Sequence, residues 1–228
     1  MKLSVVEQLR AAREAKAPVV LVTRIDDGSQ RLLDVDRQPD DPLADSALEA
    51  VRTDRSLGIS ENGAEYFLQP FNPPVRLFVV GAVHIAQALV PMAQLAGYEV
   101  TVIDPRRAFA SEDRFPGVNL VCQWPGEALA ALEPDRRSAV VTLSHDPKID
   151  DPALKTALAT EAFYVGSLGS RRTHSGRLER LAAEGLTKAQ LAHIHAPIGL
   201  DIGGRSPGEI AVSIVAEMTQ TLRRGKAE

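Results

Sequence analysis

The spacing of apolar positions along this chain changes partway. From residue 75 onward, short apolar runs alternate with stretches whose apolar residues recur every three or four positions. The first run, Val75-Arg76-Leu77-Phe78-Val79-Val80, stops at Gly81, and a helical stretch over 84–96 is closed by Gly97. Glycine readily takes the left-handed conformation that ends a helix. Pro91, inside that stretch, removes a hydrogen bond and should bend it. A strand over 99–103 follows and ends at Asp104. Further strands are predicted over 118–122, 139–143 and 163–166, with helices over 127–132 and 152–160. Near-continuous apolar strands separated by helices are covered on both faces, as in a parallel sheet. Right-handed crossovers then make the sheet doubly wound.

Before residue 70 the elements are fewer. A helix over 4–14 and a strand over 19–23 are followed by the turn Asp27-Gly28-Ser29 and a strand over 31–35. A helix over 42–52 and a strand over 65–69 complete the segment. Pro70-Phe71-Asn72-Pro73-Pro74 then carries three prolines in five residues, which reads as a linker. The C-terminal third is helical. Thr187-Lys188-Ala189-Gln190 is a capping box, and Ser206-Pro207-Gly208-Glu209 opens a last helix. Ile210, Ile214, Met218 and Leu222 form its buried stripe. The expected organisation is a small N-terminal α+β domain over 1–70 and an α/β domain over 75–223.

Composition narrows the function classes. With 44% hydrophobic and 25% charged residues and a net charge of −4, the chain has a core but no basic surface for nucleic acid. No run approaches the 18 or so apolar residues that span a bilayer. The start, Met1-Lys2-Leu3-Ser4-Val5-Val6-Glu7, turns polar too early for a signal peptide, so a cytoplasmic location is expected. Cys122 is the single cysteine, which excludes an internal disulfide and a multi-thiolate metal site. It is expected to be a small buried hydrophobe, and Trp124 beside it to pack without a further role.

Four segments could carry chemistry. Gly81-Ala82-Val83-His84-Ile85-Ala86 sits where a Rossmann fold binds phosphate, with Asp104 about twenty residues on to hold a ribose. Val83 stands where a second glycine lets the backbone approach a pyrophosphate, so the fold inference survives while dinucleotide binding is weakened. Ser144-His145-Asp146 leaves a strand at the expected reversal of strand order, where ligands bind. His145 can carry a proton there, or Ser144 and Asp146 can merely cap the helix that begins near Pro152. Gly166-Ser167-Leu168-Gly169-Ser170-Arg171-Arg172-Thr173 offers hydroxyls, cations and a helix opening as an anion cradle. The plainer alternative is a capped helix with solvated arginines. Last, Ala196 to Arg205, including Gly199 and Asp201, is apolar and glycine-rich, which favours burial against the sheet top. His193 and His195 read as packing or surface residues.

Taken in order, these segments resemble the XdhC/CoxI family, chiefly its C-terminal Rossmann domain. The similarity runs from about Pro73 to Met218 and takes in Val102-Ile103-Asp104-Pro105-Arg106, the loop 109–116, Tyr164 to Arg172 and His195 to Gly204. The resemblance implies an accessory protein that binds molybdenum cofactor, protects it during sulfuration and passes it to a xanthine dehydrogenase-type hydroxylase. Partners it implies are that apo hydroxylase and a cysteine desulfurase, with a homodimer as a further candidate state. On this reading Gly81, Val83 and His84 line one wall, Ser144, His145 and Asp146 the switch point, and Ser167, Gly169, Ser170 and Arg171 receive phosphate. Asp104, Arg106, Gly199 and Asp201 complete the candidate cofactor-binding set. Two departures stand out: the family's glycine-glycine-cysteine segment has no counterpart in the cysteine-free first 70 residues, and the second turn glycine is Val83. The chain therefore reads as a shortened, divergent member. The rival reading is an NAD(P)-dependent oxidoreductase with Asp104 on the adenosine ribose. A third is a partner-docking protein whose ligand site has decayed.

Overall fold

A computed structural model describes residues 2–224. The chain divides into two compact units between Pro73 and Pro74. The first holds α1 (Leu3–Glu14), β1 (Val19–Arg24), β2 (Gln30–Leu33), α2 (Ala44–Thr53), β3 (Leu57–Glu61) and β4 (Ala64–Phe71). Its strands form an antiparallel sheet in the order β2-β1-β4-β3. One sheet face, with Val20, Val22, Leu33 and Leu68, packs on Leu43, Ala47 and Val51 of the α2 region.

Two features of this unit depart from expectation. β3 is absent from the predicted elements, because its polar positions Ser60 and Glu61 and its Gly58 break the apolar pattern. The pairing Glu61↔Ala64 leaves Asn62-Gly63 as a two-residue hairpin turn, with φ of 52° and 78°. Asn-Gly is the strongest short hairpin signal, since both residues tolerate positive φ. Pro70 is also not linker but strand, paired with Val20 of β1. The β3 pairing has already ended at Leu57↔Leu68, so the N–H that proline lacks has no partner to disappoint.

The second unit continues with β5 (Val75–Val80), α3 (His84–Leu95), β6 (Tyr98–Ile103), β7 (Asn119–Val121), α4 (Pro125–Leu132) and β8 (Ser138–Thr142). It ends with α5 (Pro147–Leu158), β9 (Tyr164–Ser167), α6 (Arg171–Ala183), α7 (Lys188–Leu191), β10 (Ile194–His195) and α8 (Pro207–Arg224). Six parallel strands lie in the order β10-β9-β8-β5-β6-β7. Alternate residues of each strand enter opposite cores. Leu77 and Val79 join Leu89, Ile214 and Met218 on the side of α3 and α8. Phe78 and Val80 join Leu129 and Leu154 on the side of α4 and α5. Full burial of each such side chain is worth about 1.5–3 kcal/mol, so this two-sided packing dominates the stability of the unit. Among the described residues no helix is long and apolar enough to cross a membrane.

One boundary here matters for function. α5 begins at Pro147, five positions before the predicted start, and Pro152 lies inside it. Asp146 is its N-cap, and its carboxylate accepts from the Lys148 N–H at 2.9 Å. Proline at the first helical position loses nothing, which explains why the true start was hidden by the Pro152 signal.

Candidate functional site

The sheet order places the topological reversal between β5 and β8, and ligands of such sheets bind beyond the carboxyl ends of the strands there. Two turns meet at this point. Gly81 has φ of 100°, and a β-carbon on it would stand 2.8 Å from the Ser144 nitrogen. The turn after β5 therefore touches the turn after β8 backbone to backbone, and only glycine permits it. Opposite, the Asp150 carboxylate reaches up from α5. It accepts from Ser144 Oγ at 2.7 Å and from the backbone N–H of Ser144 and His145 at 3.3 and 3.1 Å. Burial pushes the Asp150 carboxyl above its ordinary value, against the opposing pull of these bonds and of Arg177. His145 is held with φ of 62° and its side chain exposed at the mouth.

Asp104 does not present itself to a ligand. It is fully buried, and both oxygens are spent on the protein. Oδ2 accepts from the Ala82 N–H at 2.9 Å and from Arg106 Nη2 at 2.7 Å. Oδ1 accepts from the Arg106 N–H and Nε at 2.9 and 2.8 Å. A carboxylate has about four acceptor positions, and here four donors fill them. Burial alone would raise its pKa, but the bonds from Arg106 and Ala82 outweigh it and hold the carboxyl below the usual range. The ribose role expected for Asp104 in a dinucleotide site is therefore not open to it. Its work is to pin the Gly81-Ala82 turn and to aim Arg106, whose charge is further favoured by Asp146 and Asp150. Arg114 braces the same turn from the loop after β6, donating to Ala82 O at 2.7 Å and to Gln87 Oε1 at 3.0 Å. Phe109 lies under Arg106, with the guanidinium 4.2 Å from its ring.

The third segment leaves β9. Ser167 is buried and shares a 2.5 Å hydrogen bond with Thr142 across the strand ends. Gly169 has φ of 143°, and a β-carbon there would crowd Thr173 at 3.2 Å. Ser170 is the N-cap of α6 and accepts from the Thr173 N–H at 3.2 Å. Arg171 and Arg172 are both exposed. The buried cation of this region is instead Arg177, only 2% exposed, whose Nη2 donates to Leu168 O at 2.9 Å. In sequence it looks like any other arginine on a polar helix.

The sequence pattern described as the XdhC Rossmann domain matches residues 77–218, well over half of the chain. The chain belongs to the XdhC family. A Bacillus subtilis protein named as a probable xanthine dehydrogenase subunit is 32% identical over 190 residues, covering 82% of this chain and 54% of that protein. The molybdenum cofactor insertion chaperone PaoD of Escherichia coli is 32% identical over 178 residues, covering 78% and 48%. The chain thus spans about half the length of these curated relatives. A solved structure from Bacillus halodurans, described as a xanthine dehydrogenase, superposes with a TM-score of 0.70 over 96% of this chain and 64% of its own, at 23% identity. That likeness speaks for the fold.

Within this XdhC domain the remaining candidates fall as follows. Val83 is the extended N-cap residue of α3, half-buried against the core, while His84 is exposed. Gly199 is drawn inward: its N–H donates to Glu217 at 2.7 Å, and a β-carbon would collide with Ser213. Asp201 and Ile202 are exposed, so only the start of the apolar loop, at Ile198, is buried as expected. His195 is not free. It stacks on Tyr164 with ring centroids 4.4 Å apart and bonds Glu217 at 3.0 Å, and Tyr164 donates to the same carboxylate at 2.5 Å. Glu217 lies 22 residues from His195, on α8 while His195 is on β10, and no motif links them. Cys122 is exposed rather than buried, because β7 is a short edge strand that ends just before it. Trp124 is likewise half-exposed.

Proposed function

We propose that this XdhC chain is an accessory protein for a molybdenum hydroxylase, holding molybdenum cofactor beyond the carboxyl ends of the strands, over the touching Gly81 and Ser144 turns. The cofactor is cargo here: it is taken up, protected during sulfuration, and released to an apo enzyme of the xanthine dehydrogenase type. The observation that carries this reading is the 32% identity to a protein named as a molybdenum cofactor insertion chaperone, over most of this chain. The residues fit the cofactor's anionic organic part. Arg177 Nε and Nη1 are buried without a hydrogen-bond partner, at the side of this site where a helix opens. Such nitrogens suit a phosphate arm. The fit to the metal end is different. Among the described residues no group of three or more His, Cys, Asp and Glu is arranged to hold a metal ion, and Cys122 lies two strands from β5. The chain would then grip the cofactor through its pterin and phosphate and leave the metal ligands to the client.

In this scheme Arg106, held by Asp104, supplies positive charge at the head of the site, and Asp150 keeps the Ser144-His145 turn in register with Gly81. A cytoplasmic setting, a cysteine desulfurase and a second copy of the chain belong to the same proposal. The test is anaerobic purification followed by oxidation and pterin fluorescence. Near-stoichiometric pterin that transfers to an apo hydroxylase is expected; protein devoid of pterin and unable to take it up refutes the reading. NAD binding in the micromolar range would instead promote the oxidoreductase, against the spent carboxylate of Asp104.

A further inference from the structure

Among the described residues, Arg177 is a deeply buried charge, 2% exposed. It sits six residues into α6, and its side chain runs back toward the start of that helix, as helical side chains do. Its Nη2 donates to Leu168 O, and the same nitrogen is 3.7 Å from where a β-carbon on Gly169 would be. The guanidinium thus lies directly beneath the turn that connects β9 to α6. Two of its nitrogens, Nε and Nη1, are out of contact with solvent and bonded to nothing. Asp150 and Asp151 favour its charge through space, but their hydrogen bonds go elsewhere: Asp150 to Ser144 and His145, and Asp151 to Arg180 at 2.6 Å. His174, three residues earlier and so on the same helical face, also has a buried, unpartnered Nδ1. Leaving buried donors unmet costs on the order of 1–3 kcal/mol each, and more for a charged group. A fold tolerates that where a partner arrives later.

We propose that Arg177, with the hydroxyls and backbone donors of Ser167 to Ser170 and the N-terminus of α6, is a latent receptor for a phosphate-type oxyanion. In the free protein the turn is closed over the guanidinium. The ligand enters by lifting Leu168–Ser170, and its oxygens then complete the bonding of Nε and Nη1. Gly169 is the hinge, since its φ of 143° is one that few other residues adopt. The exposed Arg171 serves at most to attract the anion. This deepens the cofactor reading, on which it rests for the identity of the ligand. The chemistry itself is shared by a pterin phosphate arm and a nucleotide diphosphate.

The experiment uses the full chain, with inorganic phosphate and ADP-ribose as probes, read by calorimetry and by hydrogen exchange of the 167–174 amides. Phosphate should bind and protect those amides. Arg177→Gln should weaken it about ten- to hundred-fold, the share of one charge-assisted contact, with Arg177→Lys intermediate and Arg171→Ala nearly unchanged. Equal binding by folded Arg177→Gln overturns the inference, as does phosphate protection that falls elsewhere or nowhere in the parent. If Arg177→Gln does not fold, Arg177→Lys and the parent's exchange map decide on the same criteria. ADP-ribose binding at least tenfold tighter than phosphate, and lost with Arg177, supports the receptor while assigning it to a nucleotide. Pterin carried by a parent that ignores both probes sinks the receptor and leaves the cofactor reading standing. Phosphate binding in a chain that never carries pterin does the reverse.

Discussion

Replacing Asp104 by asparagine separates a turn-pinning carboxylate from a ribose-binding one. Asparagine offers one acceptor oxygen where aspartate offers two, so either the Ala82 N–H or the Arg106 fork must lose its acceptor. Ala82 is fully buried, and an unmet buried backbone donor costs about 1–3 kcal/mol. The Arg106 side chain is 37% exposed and can turn to water, so its share is no more than about 1 kcal/mol. Asp104→Asn should therefore cost about 1–4 kcal/mol, a large part of a stability that is typically about 5–15 kcal/mol. Urea unfolding at pH 7 should show a lower midpoint with an unchanged slope. The pH dependence has a definite sign. The folded-state pKa of Asp104 is depressed, so its contribution is complete above the unfolded value of about 3.9 and fades as pH falls through the folded value. The gap between parent and variant should then narrow below about pH 4. A variant within about 0.5 kcal/mol of the parent at pH 7, or a gap that widens in acid, would refute the assignment, since a ligand-facing carboxylate is dispensable to the free protein.

Gly81→Ala should lose about 2–5 kcal/mol in thermal unfolding, from positive-φ strain together with the 2.8 Å approach to Ser144. A loss under about 1 kcal/mol would mean that the two turns are not in contact in solution. Glu217→Gln should cost about 1–3 kcal/mol and speed exchange of the Gly199 amide. Burial raises the Glu217 carboxyl, but bonds from His195, Tyr164 and Gly199 hold it low overall, so the cost should shrink as pH falls through the acid range, and a pH-independent cost would count against the cluster.

The α/β unit is legible in sequence because its strands are buried on both faces and so are apolar almost without interruption, as at Val75–Val80. β3 is not, because a strand with one half-buried face and a glycine has no such run, and its partner β4 decides it. The turns at Gly81, Ser144 and Ser167 are marked by glycine and hydroxyl spacing, a local property. What spacing cannot show is which charges are inside. Asp104 is marked in sequence as a ligand-facing residue and Asp150 and Arg177 fall in no motif, yet all three are buried, held by groups such as Ala82, Ser144 and Leu168 on the neighbouring turns. Sequence favours Arg171 over Arg177 because it stands nearer the serines in the chain, while the backward lean of helical side chains brings the later residue under the turn.

The lengths of the outermost strands have a consequence for behaviour at high concentration. The parallel sheet ends in β10, two residues long, on one side and β7, three residues long, on the other. A foreign strand arriving at either border finds too little unpaired backbone to dock in register, and beyond Val121 the chain turns away into α4. Six strands rich in valine and isoleucine would otherwise be an open template for fibrous growth. Stopping the ladder short at both borders lets the interior strands be as apolar as burial demands while this parallel sheet resists strand-by-strand extension.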